Sequence, residues 1–277
     1  MIDYHTHLGE PKHYSTEYLA EGFKMRGKPV QRTTPDEHYE EMKQVDKCIV
    51  LAFRSRHLGF NVPNDYVAEY CRRDPQKLIG FACVDPHDYN ALDELKECVQ
   101  NLGLKGLKTS PIYQAYDPMD ERMLRIYRYC EDNALPILTH HGTTFPRRAP
   151  MQWAHPEQVE RIALAFPELR IIIAHLGHPW ENETISVIRK HPHVYADVSA
   201  LFYRPWQLYN SLTLAKEYGV WKKLIFGTDY PICNIKDSIA GLRKMTEYAQ
   251  KMPFPSFTPE DMEALLNNDI LSDLNLI

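Results

Sequence analysis

The sequence predicts an α/β protein folded as a single-domain (β/α)8 TIM barrel spanning residues 1–277. Three observations carry that expectation. Short apolar runs of strand character alternate with longer stretches of helical periodicity, the pattern of parallel strands joined by crossover helices. Eight such strand runs can be counted, the number that closes a barrel. No glycine-rich phosphate turn follows an early strand, as a doubly wound open sheet would normally carry.

The elements fall in order. The first strand, Ile2–His5, is followed by a long mixed stretch, Leu8–Glu41, expected to hold a loop and short helices over the strand's far end. Strand Cys48–Phe53 leads to helix Val62–Arg73, and strand Leu78–Val84 to helix Tyr89–Leu102. Strand Gly106–Lys108 precedes helix Asp120–Asn133, and strand Pro136–His140 precedes helix Pro156–Phe166. Strand Arg170–His175 pairs with helix Trp180–Lys190, strand Val194–Val198 with helix Trp206–Tyr218, and strand Leu224–Gly227 with helix Lys236–Lys251. A last helix is expected at Thr258–Leu266. There Thr258 reads as an N-cap, Pro259 as the first helical residue, and Glu260 and Asp261 as first-turn acids.

Composition narrows the class. Hydrophobic residues make up 44% and charged residues 25%, ordinary values for a globular enzyme. The net charge of −5 and the lack of a basic run argue against nucleic acid as a partner. No apolar stretch reaches the length of a bilayer span, so no membrane partner is expected. The six cysteines, Cys48, Cys71, Cys83, Cys98, Cys130 and Cys233, form no C-x-x-C pair and read as reduced thiols of a cytoplasmic protein. The first strand begins at Ile2, which leaves no room for a secretory leader.

Polar residues recur at the carboxyl ends of the predicted strands, the rim where barrel enzymes gather their chemistry. His5 and His7, spaced i, i+2, project from one face of the first strand, with Asp3 on that face as a supporting carboxylate. Lys108 ends the fourth strand, His140 the fifth, His175 the sixth, and Asp229 follows the eighth within Phe-Gly-Thr-Asp-Tyr-Pro. Each alone reads equally as a packed or capping residue, but together they supply the three-histidine, one-carboxylate set that suits zinc, manganese or iron. Arg54 and Arg56, Arg147 and Arg148, and Tyr203 and Arg204 follow strands two, five and seven, where a guanidinium can clamp a substrate carboxylate. His141 and His178 beside the motif histidines, and Trp153 ahead of a helix, carry weaker signals.

The ordered set His5-Thr-His7, His140, His175 and Gly-Thr-Asp229 resembles the amidohydrolase superfamily. More narrowly, it resembles the group that includes aminocarboxymuconate semialdehyde decarboxylase and the resorcylate-type decarboxylases. The resemblance runs nearly end to end. The tail Leu-Leu-Asn267-Asn268 is similar to that group's closing Gly-Asn-Ala segment, with Asn267 in place of the glycine. It implies one divalent metal, zinc before manganese or iron, held by His5, His7, His140 and Asp229. It implies His175 as a near-metal acid/base and Asp229 as the acceptor of a water proton. Lys108, carbamylated and bridging in two-metal members, would instead contact an anionic substrate.

The leading expectation is therefore a metal-dependent hydrolase of a small carboxylate-bearing ester, lactone or amide, with Lys108, Arg54, Arg147, Tyr203 and Arg204 as substrate contacts. The alternative is a metal-dependent non-oxidative decarboxylase of an aromatic or dienoic acid. A non-catalytic metal-binding scaffold is the third reading. A homodimer stays open, and the substrate is not legible.

Overall fold

The protein is described from a computed structural model over residues 1–251 and 257–277. From the amino terminus, β1 (Ile2–His7) leads through a single 3-10 turn to α1 (Thr16–Arg26) and α2 (Pro35–Met42). There follow β2 (Lys47–Leu51), β3 (Phe53–Ser55), β4 (Phe60–Val62), α3 (Asn64–Cys71), β5 (Leu78–Cys83), α4 (Ala91–Gln100) and β6 (Gly106–Thr109). Then come α5 (Pro111–Gln114), α6 (Glu121–Asp132), β7 (Ile137–Thr139), α7 (Glu157–Ala165), β8 (Ile171–Ile173) and α8 (Glu181–Lys190). The chain continues through β9 (Val194–Asp197), α9 (Pro205–Glu217), β10 (Leu224–Ile225), α10 (Ile235–Ala249) and α11 (Pro259–Leu266).

Eight strands form one parallel sheet in the order β1-β2-β5-β6-β7-β8-β9-β10. The sheet closes on itself. The Tyr4 and His7 amides donate to the Phe226 and Tyr230 carbonyls at 3.0 and 2.8 Å, and the Asp229 amide donates to the His5 carbonyl at 2.8 Å. The expected (β/α)8 barrel is thus present, and each predicted strand and helix has its counterpart. The antiparallel hairpin β3–β4 and the short α5 were not foreseen. The run Cys48–Phe53 reads as one strand, but it leaves the barrel after Ala52 and folds back through Phe60–Val62.

Alternation along the strands sorts two layers. Ile49 and Leu51, Ile172, Tyr195 and Ile225 pack inside the barrel with Ile2, Tyr4, Phe81 and Leu138. Their neighbours Cys48, Val50, Ile171, Ile173, Val194, Ala196 and Leu224 face the helices. After α11, Ile270, Leu271 and Leu274 join the interior cluster, and the Ile270 amide donates to the Tyr4 hydroxyl at 2.8 Å. The interior is therefore filled from the strands' starts with apolar side chains, which leaves the carboxyl-end layer to the polar ones.

One irregularity sets up that layer. Between Asp3 and Thr6, β1 advances three residues while β2 advances two, a β-bulge. Ile2 and Tyr4 face inward, and the extra residue brings His5 and His7 inward as well. Asp3 is consequently not on the histidines' face, contrary to the strict alternation expected from sequence. It accepts instead from the His5 and Thr228 amides and the Thr228 hydroxyl at 3.1, 3.0 and 2.7 Å, tying β1 to the segment after β10. All six cysteines are free thiols, five of them buried. Among the described residues no helix is long and apolar enough to cross a membrane.

Candidate metal centre

The carboxyl ends of β1, β6, β7, β8 and β9 and the turn after β10 converge on one polar cluster. His5 Nε2 lies 3.1 Å from His7 Nε2 and 3.5 Å from Asp229 Oδ1, and His7 Nε2 lies 3.4 Å from the same oxygen. His175 Nε2 stands 4.0 Å from Asp229 Oδ2, and Lys108 Nζ 3.4 Å from His5 Nε2. One ligand atom each from His5, His175 and Asp229 lies within 4.8 Å of the others. The His140 ring is edge-on to His175 with centroids 5.0 Å apart, and its Nε2 is 3.3 Å from the Thr143 carbonyl. His140 is thus at the site, but this nitrogen is directed to the backbone rather than to the other donors.

Local backbone serves these placements. His175 and Asp229 both adopt the left-handed region, with φ of 54° and 59°. Non-glycine residues there store strain of about 1–3 kcal/mol each, and such positions concentrate at functional sites. Gly227 stands two residues before Asp229, and a Cβ there would come within 2.9 Å of His5 Cβ. Only glycine lets the segment after β10 approach β1 this closely.

Asp197, at the end of β9, organises the cluster from below. Its Oδ2 accepts from His5 Nδ1 at 2.9 Å, and its Oδ1 accepts from the His175 and Ser199 amides at 3.0 Å each and from the Ser199 hydroxyl. Because Ser199 spends its proton on Asp197, its oxygen receives the Nδ1 proton of His175 at 2.7 Å. Both imidazoles are therefore held with Nδ1 protonated and the Nε2 lone pair turned into the cleft, the arrangement that metal-binding histidines use. Sequence reasoning passed over Asp197 and Ser199, although Asp197 obeys the same strand-end rule that found the other residues.

Burial pushes His5, His7, His140 and His175 well below the usual imidazole range, with the Lys108 charge or neighbouring imidazoles adding to it. That favours the neutral ring, the form in which an imidazole can bind a metal. Burial also brings the Lys108 ammonium down to about 8 against the pull of Asp229 and Asp197. The Asp229 carboxyl is driven up by burial and held back by Lys108.

The donor set fits a divalent ion. Donors arranged tetrahedrally at about 2.0–2.1 Å from an ion stand roughly 3.3–3.4 Å apart. The His5, His7 and Asp229 separations of 3.1, 3.4 and 3.5 Å bracket that spacing. Without a cation, the two Nε2 atoms face only each other, the Lys108 ammonium and the part-buried Asp229 carboxylate.

Two chambers open from the cluster. An inner one of about 110 Å3 is walled by Tyr14, Tyr18, Phe53, Phe60, Tyr113 and Phe145 over His7, Lys108, His140, His175 and Asp229. An outer one of about 290 Å3 adds Thr143, Thr144, His178, Tyr203 and Arg204. The insertion Leu8–Glu41 contributes Tyr14, Tyr18, Arg26, Val30 and Gln31, so it covers the mouth as expected. Of the arginines singled out from sequence, Arg204 lines the outer chamber together with Tyr203. Arg54 and Arg147 do not reach either chamber. Arg54 is engaged by Asp88 and by Glu94 at 3.1 Å, and Arg147 is exposed, its amide donating to Glu21 at 2.9 Å. Arg56 pairs with Asp88 at 2.6 Å and Arg148 with Glu17 at 3.5 Å. Trp153 sits in a 3-10 turn ahead of α7. Arg26, which sequence reasoning did not single out, lines both chambers.

Solved structures share this architecture. An uncharacterised TIM-barrel protein from Bordetella bronchiseptica superposes with a TM-score of 0.72 at 19% identity, over 100% of this chain and 99% of that one. A probable 2-pyrone-4,6-dicarboxylic acid hydrolase from Acinetobacter baumannii, with citric acid bound, matches at a TM-score of 0.67 and 16% identity over 99% and 98% of the two chains. A dihydroxybenzoic acid decarboxylase from a Polaromonas species, with manganese and the inhibitor 2-nitroresorcinol, matches at 0.64 and 17% identity over 99% and 96%. At these identities the likeness is one of fold. The model of the amidohydrolase family matches residues 2–268. With the family model spanning nearly the whole chain, this protein belongs to the amidohydrolase family and is an enzyme of that superfamily.

Proposed function

We propose that this chain is a metal-dependent hydrolase of a small ester, lactone or amide carrying a carboxylate. The observation that supports this reading most is the convergence of His5 Nε2, His7 Nε2 and Asp229 Oδ1 within 3.1–3.5 Å of one another, at the floor of a cleft with cationic side chains on its walls. His5, His7, His140 and Asp229 would hold one divalent ion, zinc before manganese or iron. A bound ion of this kind lowers the pKa of water toward neutrality and polarises a substrate carbonyl.

The chain's own residues do the rest. Asp197 holds His5, and through Ser199 it holds His175, so that neither ring has to reorient during the reaction. Asp229, which burial makes a stronger proton acceptor than an ordinary carboxylate, takes the proton of water and delivers it to the leaving group. His175 accepts a hydrogen bond from the attacking water at its Nε2 lone pair and so orients it. Tyr203, Arg204 and Lys108 attract the substrate's acidic group, and the aromatic wall excludes water.

That aromatic wall also favours a second reading. Tyr18, Phe53, Phe60, Tyr113 and Phe145 around the inner chamber suit a planar ring, the substrate shape of a decarboxylase acting on an aromatic or dienoic acid. One assay separates the readings. Metal-loaded protein is offered carboxylate-bearing lactones, esters and amides, and separately hydroxylated benzoates. Release of acid from the lactones and esters titrated at constant pH, or of amine from the amides, without gas, is the expected result. Release of carbon dioxide with no net addition of water would overturn hydrolysis in favour of decarboxylation.

A second experiment divides the histidines. His140→Ala is expected to lose bound metal, whereas His175→Ala keeps the metal and loses turnover. The reverse outcome would exchange their roles, a result that the grouping of His175 with His5 and Asp229 makes worth testing.

A further inference from the structure

Helix α1 carries a cation to the mouth of the barrel that none of the roles above uses. The helix ends at Arg26, where Gly27 takes the left-handed conformation at φ 68° and returns its amide to the Phe23 carbonyl at 2.9 Å. It is docked on the loop after β7. The Tyr18 and Phe145 ring centroids are 5.6 Å apart, and Gly22 packs where a Cβ would stand 3.2 Å from the Phe145 ring. Both acids of α1 are turned toward that loop, Glu21 accepting from the Arg147 amide at 2.9 Å and Glu17 facing the Arg148 guanidinium at 3.5 Å.

That docking leaves Arg26 without an acid of its own. Its guanidinium is part-buried, 5.5 Å from the centroid of the Phe145 ring, and among the described residues it has no ion-pair or hydrogen-bond partner. It lines both chambers, in which Asp229 is the one carboxylate among the described lining residues. Arg204 lines the outer chamber too, anchored by one N–H on the Ala200 carbonyl at 2.7 Å. Lys108 is placed differently, buried beside His5 Nε2 within the reacting cluster. A part-buried guanidinium without a protein partner is free to receive an anion, and its planar fork matches a carboxylate bidentately.

We propose that Arg26 is the specificity-determining residue that reads the substrate's acidic group, with Arg204 as its companion in the outer chamber. The assignment rests on the reading of the cluster as a metal-dependent active site. It moves recognition of the anion from the barrel strands to the inserted helix. An acidic group between these two side chains leaves the rest of the substrate to reach His175 and Asp229.

The test is calorimetric titration of the metal-loaded protein with benzoate and with its uncharged counterpart benzamide, read without turnover. Wild type is expected to bind benzoate at least tenfold more tightly than benzamide. Arg26→Met should cut that preference at least fivefold while metal content and benzamide affinity hold, which also reports that the cleft is intact. Arg26→Lys, which keeps the charge but loses the fork, should fall between the two. A wild type without the preference, or a smaller cut in Arg26→Met, overturns the assignment. A protein that discriminates the anion through Arg26 yet neither hydrolyses nor decarboxylates any substrate would instead contradict the functional reading and leave the subsite standing.

Discussion

Two groups of histidines meet β1 from opposite sides. On the outer side His38, from α2, has both ring nitrogens satisfied by the protein. Thr6 gives its hydroxyl proton to the Ile49 carbonyl at 2.6 Å, so it accepts from His38 Nε2 at 2.9 Å, while Nδ1 accepts from the Tyr70 hydroxyl at 2.7 Å. On the inner side His5 is satisfied only at Nδ1, and its Nε2 faces His7, Asp229 and Lys108. Burial is complete for both His5 and His38. What separates these two rings is therefore not burial but whether the second nitrogen has a protein partner to satisfy it.

Substitutions break that contrast in a graded way. The largest effect is expected for Asp229→Ala or His5→Ala. Either should remove bound metal and lower turnover by at least about a thousandfold, since each loses a ligand and Asp229→Ala loses the proton acceptor with it. Next comes Asp197→Ala, which frees His5 and, through Ser199, His175. Metal affinity should fall about 10- to 100-fold, the usual cost of losing a group that orients a ligand, with the fold retained. Equilibrium dialysis against a metallochromic indicator measures this, and an unchanged affinity would show that Asp197 is only a packing residue. His38→Ala should do the opposite, costing about 1–3 kcal/mol of stability through the orphaned Tyr70 hydroxyl and leaving metal stoichiometry intact.

Acid sharpens the same contrast. Burial lowers His38 and His141 from the ordinary 6.5 to about 3. The unfolded chain binds these protons first, so the stability that the two neutral rings contribute is complete above about pH 6.5 and is lost as pH falls toward 3. Denaturant melts of His38→Gln across that window should show a shallower loss than wild type, and parallel curves would contradict this. The smallest effect is expected at Arg147. Arg147→Ala should leave anion binding within twofold of wild type, in contrast to Arg26→Met.

How much of this is legible in the sequence follows from the same physics. His5, His7, Lys108, His140, His175 and Asp229 stand out because a parallel barrel places every strand's carboxyl end on one rim, so position along the chain stands in for position in space. Asp197 obeys the same rule, but within Val194–Val198 it stands in an otherwise apolar run that carries no motif of its own. The bulge in β1 left no mark in a six-residue strand, and it moved Asp3 off the histidines' face. The arginines were least readable. Arg54 and Arg147 follow strands exactly as a substrate-binding residue would, but Asp88 and Glu94 claim the first and solvent the second. Arg26 depends on how an inserted helix docks on a distant loop, which no local pattern records.

The central claim is that the inner histidines and Asp229 are a metal centre while His38 is not. Elemental analysis of protein purified without a metal-binding tag or chelator tests it most directly, on wild type, His5→Ala and His38→Ala side by side. The account predicts about one equivalent of divalent metal per chain in wild type and His38→Ala and none in His5→Ala. A wild type that takes up no metal even when supplied with zinc and manganese, or a His5→Ala protein that keeps its full equivalent, would contradict it.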